Sequence, residues 1–149
     1  MRKTYQGKFI PKNPNKYRGD VTNIVFRSSW ELKVMNEFDR NPAIIEYASE
    51  EIVIPYISPK DGRVHRYYPD FWVRMKDIRG HVKTFLMEVK PAAQCAPPKK
   101  PKRITARFIN EAVTYEVNQA KWAAARRLCK EAGWEFRVTT EHDIFVGKK

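Results

Sequence analysis

Residues 64–90 read VHRYYPDFWVRMKDIRGHVKTFLMEVK, and this stretch decides the fold. Val64 to Val73 is rich in aromatic and β-branched residues and predicts a strand. A polar connection follows through Lys76-Asp77-Ile78-Arg79-Gly80, and a second strand runs from about Val82 to Lys90. Joined as a hairpin turning near Arg79, the two strands bring the position opposite Asp70 close to Glu88. Side chains alternate along a strand, so Glu88 and Lys90 project together while Met87 and Val89 face the other way. Two carboxylates and an ammonium then converge on one place.

Upstream, Ser28 and Glu31 have the S-x-x-E spacing of a capping box, and Asn41-Pro42 supplies a stop, which predicts a helix over Ser29 to Arg40. Its apolar stripe is Trp30, Val34, Met35 and Phe38, and Glu31 points into the same sector. An inward carboxylate invites two readings: the capping box itself, with Glu31 reaching back to a backbone N–H, or a third acid for the 70/88/90 cluster. Residues 44–57 predict one strand, with Pro55 marking an edge or a bulge, and Ser58 to Gly62 a turn. Downstream, Pro91 to Arg103 is a proline-rich basic loop, read here as a mobile phosphate-binding flap. Ile104 to about Ala132 is helical, with a bend or break expected near Val117-Asn118 and Gly133 as C-cap. Trp134 to Thr139 makes a last strand. The order α-β-β-β-α-β predicts an α/β domain over residues 21–149, a mixed sheet flanked by helices, preceded by an extended basic arm over residues 1–20.

The chain has 149 residues, 42% of them hydrophobic, enough for one ordinary core. It carries 29 Lys and Arg against 17 Asp and Glu, a formal net charge of +12, and such a surface attracts polyanions. DNA is the expected partner, since neutralised phosphates release counterions. No apolar run approaches the roughly 20 residues of a membrane span, and the N-terminus has no apolar core of a secretory signal, so a cytoplasmic location is expected. Cys95 and Cys129 stand apart, and His65, His81 and His142 show no ligand spacing. Any metal must then be held by oxygen.

Crowded carboxylates repel unless a cation sits between them, and oxygen-only ligands suit a hard ion, Mg²⁺, with Mn²⁺ as a substitute. Asp70 and Glu88 are the expected ligands, the backbone carbonyl of Val89 offers one more oxygen, and Glu31 a further ligand or a hold on a bound water. That constellation suits phosphodiester hydrolysis, with Lys90 orienting water or stabilising charge on phosphorus. The plain alternative is a surface ion pair, because Pro-Asp and Glu-x-Lys both arise easily in a Lys-rich protein. The inward Glu31, the hairpin and the basic loop that follows weigh toward the catalytic reading.

The order Glu31, Pro69-Asp70, Glu88-Val89-Lys90 resembles the PD-(D/E)XK nuclease superfamily, whose fold is the restriction-endonuclease-like core. More specifically, KYRGD (16–20), FRSSWE (26–31), IPYISPKDGRVHRYYPDFW (54–72), EVKP (88–91), RFINEAVTYEVNQAKW (107–122) and EFRVTTE (135–141) are similar to the head-completion nucleases of large contractile-tailed phages. The endonuclease subunit of heteromeric transposases is a looser likeness. The resemblance implies a metal-dependent endodeoxyribonuclease acting on packaged DNA before tail joining, in the host cytoplasm or within the virion head or neck. Capsid, portal or neck proteins are then expected partners, and a dimer is one route to double-strand cleavage.

Arg18, Arg27, Arg66, Lys99, Lys100, Lys102, Arg103 and Lys121 are the candidate DNA contacts, chosen for proximity in sequence to the acidic segments; solvated surface is the competing reading for each. Asn118 and Lys121 fall on the long helix, where the superfamily often places a polar residue near the metal. Tyr67, Tyr68, Phe71 and Trp72 suit core packing better than stacking on bases, and Trp30 and Trp122 are likewise assigned to the core. Two other functions compete: a non-catalytic DNA- or portal-binding protein of the phage head, and a sequence-specific regulator. The first has no use for three acids around one point, and the second lacks a helix-turn-helix or zinc motif.

Overall fold

The computed structural model describes residues 6–144. Its centre is a four-stranded sheet built from β3 (Ile44–Ser49), β6 (Phe71–Lys76), β7 (Val82–Val89) and β8 (Glu135–Thr139), in the spatial order β3-β6-β7-β8. The first three pair antiparallel, and β8 runs parallel to β7. A parallel neighbour needs a crossover, and α2 (Ala106–Ala132) provides it. Helix α1 (Ser29–Arg40) covers the other face. The mixed sheet between helices is the α/β architecture expected, in the restriction-endonuclease-like class.

Strand alternation divides the core in two. Phe71, Val73 and Phe85 join Val34, Met35 and Phe38 on the α1 side, while Leu86 joins Trp122, Ala125 and Cys129 on the α2 side. The α1 stripe is as expected except that Trp30 is only half-buried. Ser28 Oγ accepts from Glu31 N at 3.1 Å and Thr105 Oγ1 from Phe108 N at 3.1 Å, so both helices start on side-chain caps. At its end α2 passes into Gly133 at φ 77°, the left-handed C-cap that favours glycine.

Two expected strands each divide. Residues 44–57 form β3 and then β4 (Ile54–Ile57), separated at Glu50, which adopts φ 54°. Residues 64–73 form β5 (Val64–Tyr67) and then β6, separated at Pro69, whose ring removes the N–H that a continuing ladder needs. Both segments change sheet at these breaks: β4 and β5 pair with each other in a separate two-stranded sheet that packs against α2. Pro55, opposite Arg66, is tolerated because β4 is an edge strand of a two-stranded sheet and has one side free of ladder partners. The bend expected near Val117-Asn118 is absent, and α2 is continuous through those residues. A short helix unforeseen from the sequence, α3 (Glu141–Ile144), follows β8.

The N-terminal segment also departs from expectation. Residues 1–5 lie outside the described residues, but 6–20 are packed rather than an extended arm. Gly7 and Lys8 form β1 and pair with β2 (Val25–Phe26), and Phe9 and Tyr17 enter the α1-side core. Asp39, buried at the end of α1, accepts from the N–H groups of Lys12 at 3.0 Å and Asn13 at 3.1 Å. Lys16 Nζ donates to the carbonyls of Phe38, Asp39 and Asn41 at 2.6, 2.9 and 2.9 Å. Its charge completes the C-terminus of α1, where the helix leaves carbonyls unpaired.

Candidate active site

The β6–β7 register pairs Phe71 with Met87, so one step further places Asp70 opposite Glu88, as the hairpin predicts. The turn between them is closed by Asp77 N to His81 O at 2.8 Å and Gly80 N to Asp77 O at 2.9 Å. Phe71 and Met87 belong to the α1-side core, so their neighbours Asp70 and Glu88 face α2, together with Lys90. Lys90 Nζ stands 3.6 Å from Glu88 Oε2. The break at Pro69 frees Asp70 from a regular ladder, and its Oδ2 accepts from Val89 N at 2.7 Å. Lys90 N, one residue on, donates toward β8, to Thr139 O at 2.9 Å. Successive peptide groups of a strand point to opposite edges, so the Val89 carbonyl lies on the Asp70 side with its N–H.

Glu88 is 8% exposed, and its Oε1 accepts a 2.6 Å hydrogen bond from the Tyr67 hydroxyl. The Tyr67 ring in turn carries Lys121, whose ammonium lies 5.7 Å from its centroid and 6.0 Å from that of Tyr56. Tyr67 and Tyr56 come from the two-stranded sheet, and Lys121 from α2. Burial and the neighbouring Glu88 charge push the Asp70 carboxyl well above the ordinary aspartate range, against the opposing Val89 N–H. Glu31 is also raised, chiefly by burial and further by Glu88, and its Oε1 accepts from Arg27 N at 3.1 Å. The capping interaction expected of Glu31 is thus made one residue before the N-cap, and its carboxyl still lies within the field of the other acids. Burial lowers the Lys121 ammonium, although Glu88 and Asp70 oppose the shift. Tyr67 is held in its neutral form by burial and by Glu88.

Among the described residues no three His, Cys, Asp or Glu side chains form a ready metal cage. What Asp70, Glu88 and the Val89 carbonyl offer is a partial, oxygen-only shell. That shell fits a hard cation which keeps several of its waters, and the repulsion raising Asp70 is what such a cation would relieve.

The candidate DNA contacts sort by location. Arg27 is at the rim, ion-paired with Glu50, whose backbone N donates to Asp70 O at 3.1 Å. Arg18 is paired with Glu46, which it shares with Arg74, further along β3 and away from the acids. Arg66 is exposed on the face of β5 opposite Tyr67. Lys99, Lys100, Lys102 and Arg103 are exposed in the segment after a 3-10 turn at Ala92–Cys95, which is anchored where Ala92 N donates to Glu141 Oε1 at 2.7 Å. Lys121 belongs to the acidic cluster itself. Tyr67, Phe71 and Trp122 are core residues, Trp72 is half-buried, and Tyr68 is exposed.

Comparison with known proteins bears on this geometry directly. Residues 41–141 match the TnsA-like endonuclease N-terminal family, a span holding Asp70, Glu88, Lys90 and Lys121. The chain belongs to this family. A head completion nuclease of Enterobacteria phage T4 is 44% identical over 144 residues, covering 94% of this chain and 93% of the relative. The endonuclease assignment therefore spans the sheet, the hairpin and α2, and the phage relative extends the likeness over the N-terminal segment as well.

Two residues of this candidate site lay beyond sequence reasoning. Tyr67 read as core, because nothing local shows that its hydroxyl meets Glu88 across a sheet boundary. Glu50 carried no motif, and its role at the rim depends on the left-handed turn that ends β3.

Proposed function

We propose that this chain is a metal-dependent DNA endonuclease in which Asp70 and Glu88, with the Val89 carbonyl, hold Mg²⁺ or Mn²⁺. The observation that carries the reading is the pair of facing carboxylates with Lys90 beside them, 3.6 Å from Glu88. A bound cation supplies charge neutralisation at the phosphate and a water of lowered pKa. The Lys90 ammonium orients the attacking water and meets the charge growing on the phosphate oxygens as the P–O bond to the leaving sugar oxygen breaks. Glu31 holds a water at the edge of the shell. Tyr67 fixes the Glu88 carboxylate, and Lys121 adds a second positive charge where the phosphate enters. The run from Lys99 to Arg103 neutralises flanking phosphates.

The phage relative's name points to a role in head completion. By that likeness the chain acts on packaged DNA ends before tail joining, in the host cytoplasm, alongside head, portal or neck proteins. The deciding experiment compares wild type with Asp70→Asn and Lys90→Met on linear, circular and branched DNA, with Mg²⁺ and with chelator. Metal-dependent cleavage lost in both folded variants supports the reading. DNA binding without cleavage under any divalent metal returns the chain to a structural role.

A further inference from the structure

We propose that the groove between segment 93–98 and the first half of α2 holds an unpaired nucleobase of the strand being cut, making single-stranded or frayed DNA the preferred substrate. The inference deepens the endonuclease reading and rests on it. The groove has a volume of about 290 Å³; Ala93, Ala96 and Pro98 form one wall, Thr114 and Tyr115 the other, and Asn118 the floor.

The groove exists because α2 is longer than the body it packs on. Its buried residues begin only at Asn118, so the preceding three turns stand out from the sheet with segment 93–98 laid beside them. Asn118 is 5% exposed, yet its carboxamide makes no hydrogen bond among the described residues. Its amide atoms are not sealed in packed protein but line the groove, where a ligand can meet them. A carboxamide both donates and accepts, which matches the edge of a base. Ala93, Ala96, Pro98 and the Tyr115 ring offer apolar surface to the faces of the same base, and Gln94 and Asn110 add amides at the groove's edge.

Location ties the groove to cleavage. Asn118 lies three residues before Lys121, on the same side of α2, and Lys121 stands over Tyr67, the partner of Glu88. The opposite wall begins three residues after Lys90. Beyond Pro98 come the exposed cations Lys99, Lys100, Lys102 and Arg103. A strand running from the carboxylates to those cations crosses the groove, with its phosphates neutralised on both sides. A base can enter only by leaving its stack, which costs least where it is already unpaired. One carboxylate, Glu111, also lines the groove, and it is ion-paired with Arg107 at 3.5 Å.

The test binds oligonucleotides carrying one 2-aminopurine to the full chain in chelator, so that no cleavage occurs, and moves the probe along a single strand and a blunt duplex. A saturable fluorescence change at one position of the single strand is expected, absent from the duplex interior. It should weaken about tenfold in Asn118→Leu and in Thr114→Trp, which fills the groove from an exposed helical position. With Mg²⁺, both variants should lose about tenfold in single-strand cleavage and little on duplex. A probe response that is uniform along the strand, or unchanged in folded Thr114→Trp, overturns the proposal. Failure of wild type to cut any DNA would instead sink the endonuclease reading, while the binding measurement in chelator still decides the groove.

Discussion

The Tyr67 hydroxyl donates to Glu88 Oε1 at 2.6 Å, joining the two-stranded sheet to the central one at a buried carboxylate. Groups that orient a metal-binding carboxylate commonly contribute 10- to 100-fold in affinity. Tyr67→Phe keeps the ring that supports Lys121 and removes only the hydroxyl. We expect about a tenfold rise in the Mg²⁺ concentration giving half-maximal cleavage, with a smaller change in rate at saturating metal. A metal titration of activity checks the split.

Asp70 supplies a prediction about stability without metal. Its folded pKa is raised above the ordinary 3.8, so the native state binds more protons than the unfolded chain in the window above that value, and stability falls as pH rises through it. Asp70→Asn keeps an acceptor for the Val89 N–H and removes the charge. In chelator at about pH 8 the variant should melt above wild type, by roughly 2–4 °C for each kcal/mol relieved. Near pH 4 the two curves should converge. Adding Mg²⁺ should raise the wild-type melting temperature and leave the variant unmoved.

The basic residues divide into spent and available charges. Arg18 and Arg27 are ion-paired, whereas Lys99, Lys100, Lys102 and Arg103 are exposed and enter none of the ion pairs among the described residues. Each phosphate contact contributes about 0.7–0.9 to the slope of log affinity against log salt. Replacing all four loop cations with Gln should lower that slope by about 3 for DNA. Arg18→Gln should change it by much less than one contact.

Asp39 anchors the N-terminal segment through the Lys12 and Asn13 N–H groups. Asp39→Ala removes the acceptor of two part-buried N–H groups and should destabilise by about 1–2 kcal/mol, read by urea denaturation. Lys16→Met removes a donor to three carbonyls at the end of α1 and should cost about 1 kcal/mol, with cleavage kinetics unchanged at a temperature where the variant is folded.

Much of this was readable in one dimension. Capping residues placed α1, Gly133 ended α2, and the hairpin with its period of two brought Asp70, Glu88 and Lys90 to one face, because these depend on interactions within a few residues or across one turn. What failed was the continuity of strands. Residues 44–57 and 64–73 have unbroken β propensity, and propensity does not say which sheet a residue joins; Glu50 and Pro69 are where the chain switches. The basic arm misled for a related reason. Prolines and lysines look solvated until a buried partner is known, and Tyr17 and Lys16 find theirs 20 or more residues away, as the Tyr17 contact to Ser49 and the Lys16 contacts to Phe38 and Asp39 show.

By itself, then, the sequence determined the charge of the surface, the identity of the acids and lysine, and the local elements that carry them, since each follows from residue chemistry and short-range periodicity. Only the tertiary structure decided that Tyr67 holds Glu88, that Lys121 stands with the acids, that Arg18 and Lys16 are occupied elsewhere, and that Asn118 is left facing a groove. Those are contacts between elements distant along the chain, fixed by how the sheets and α2 pack together.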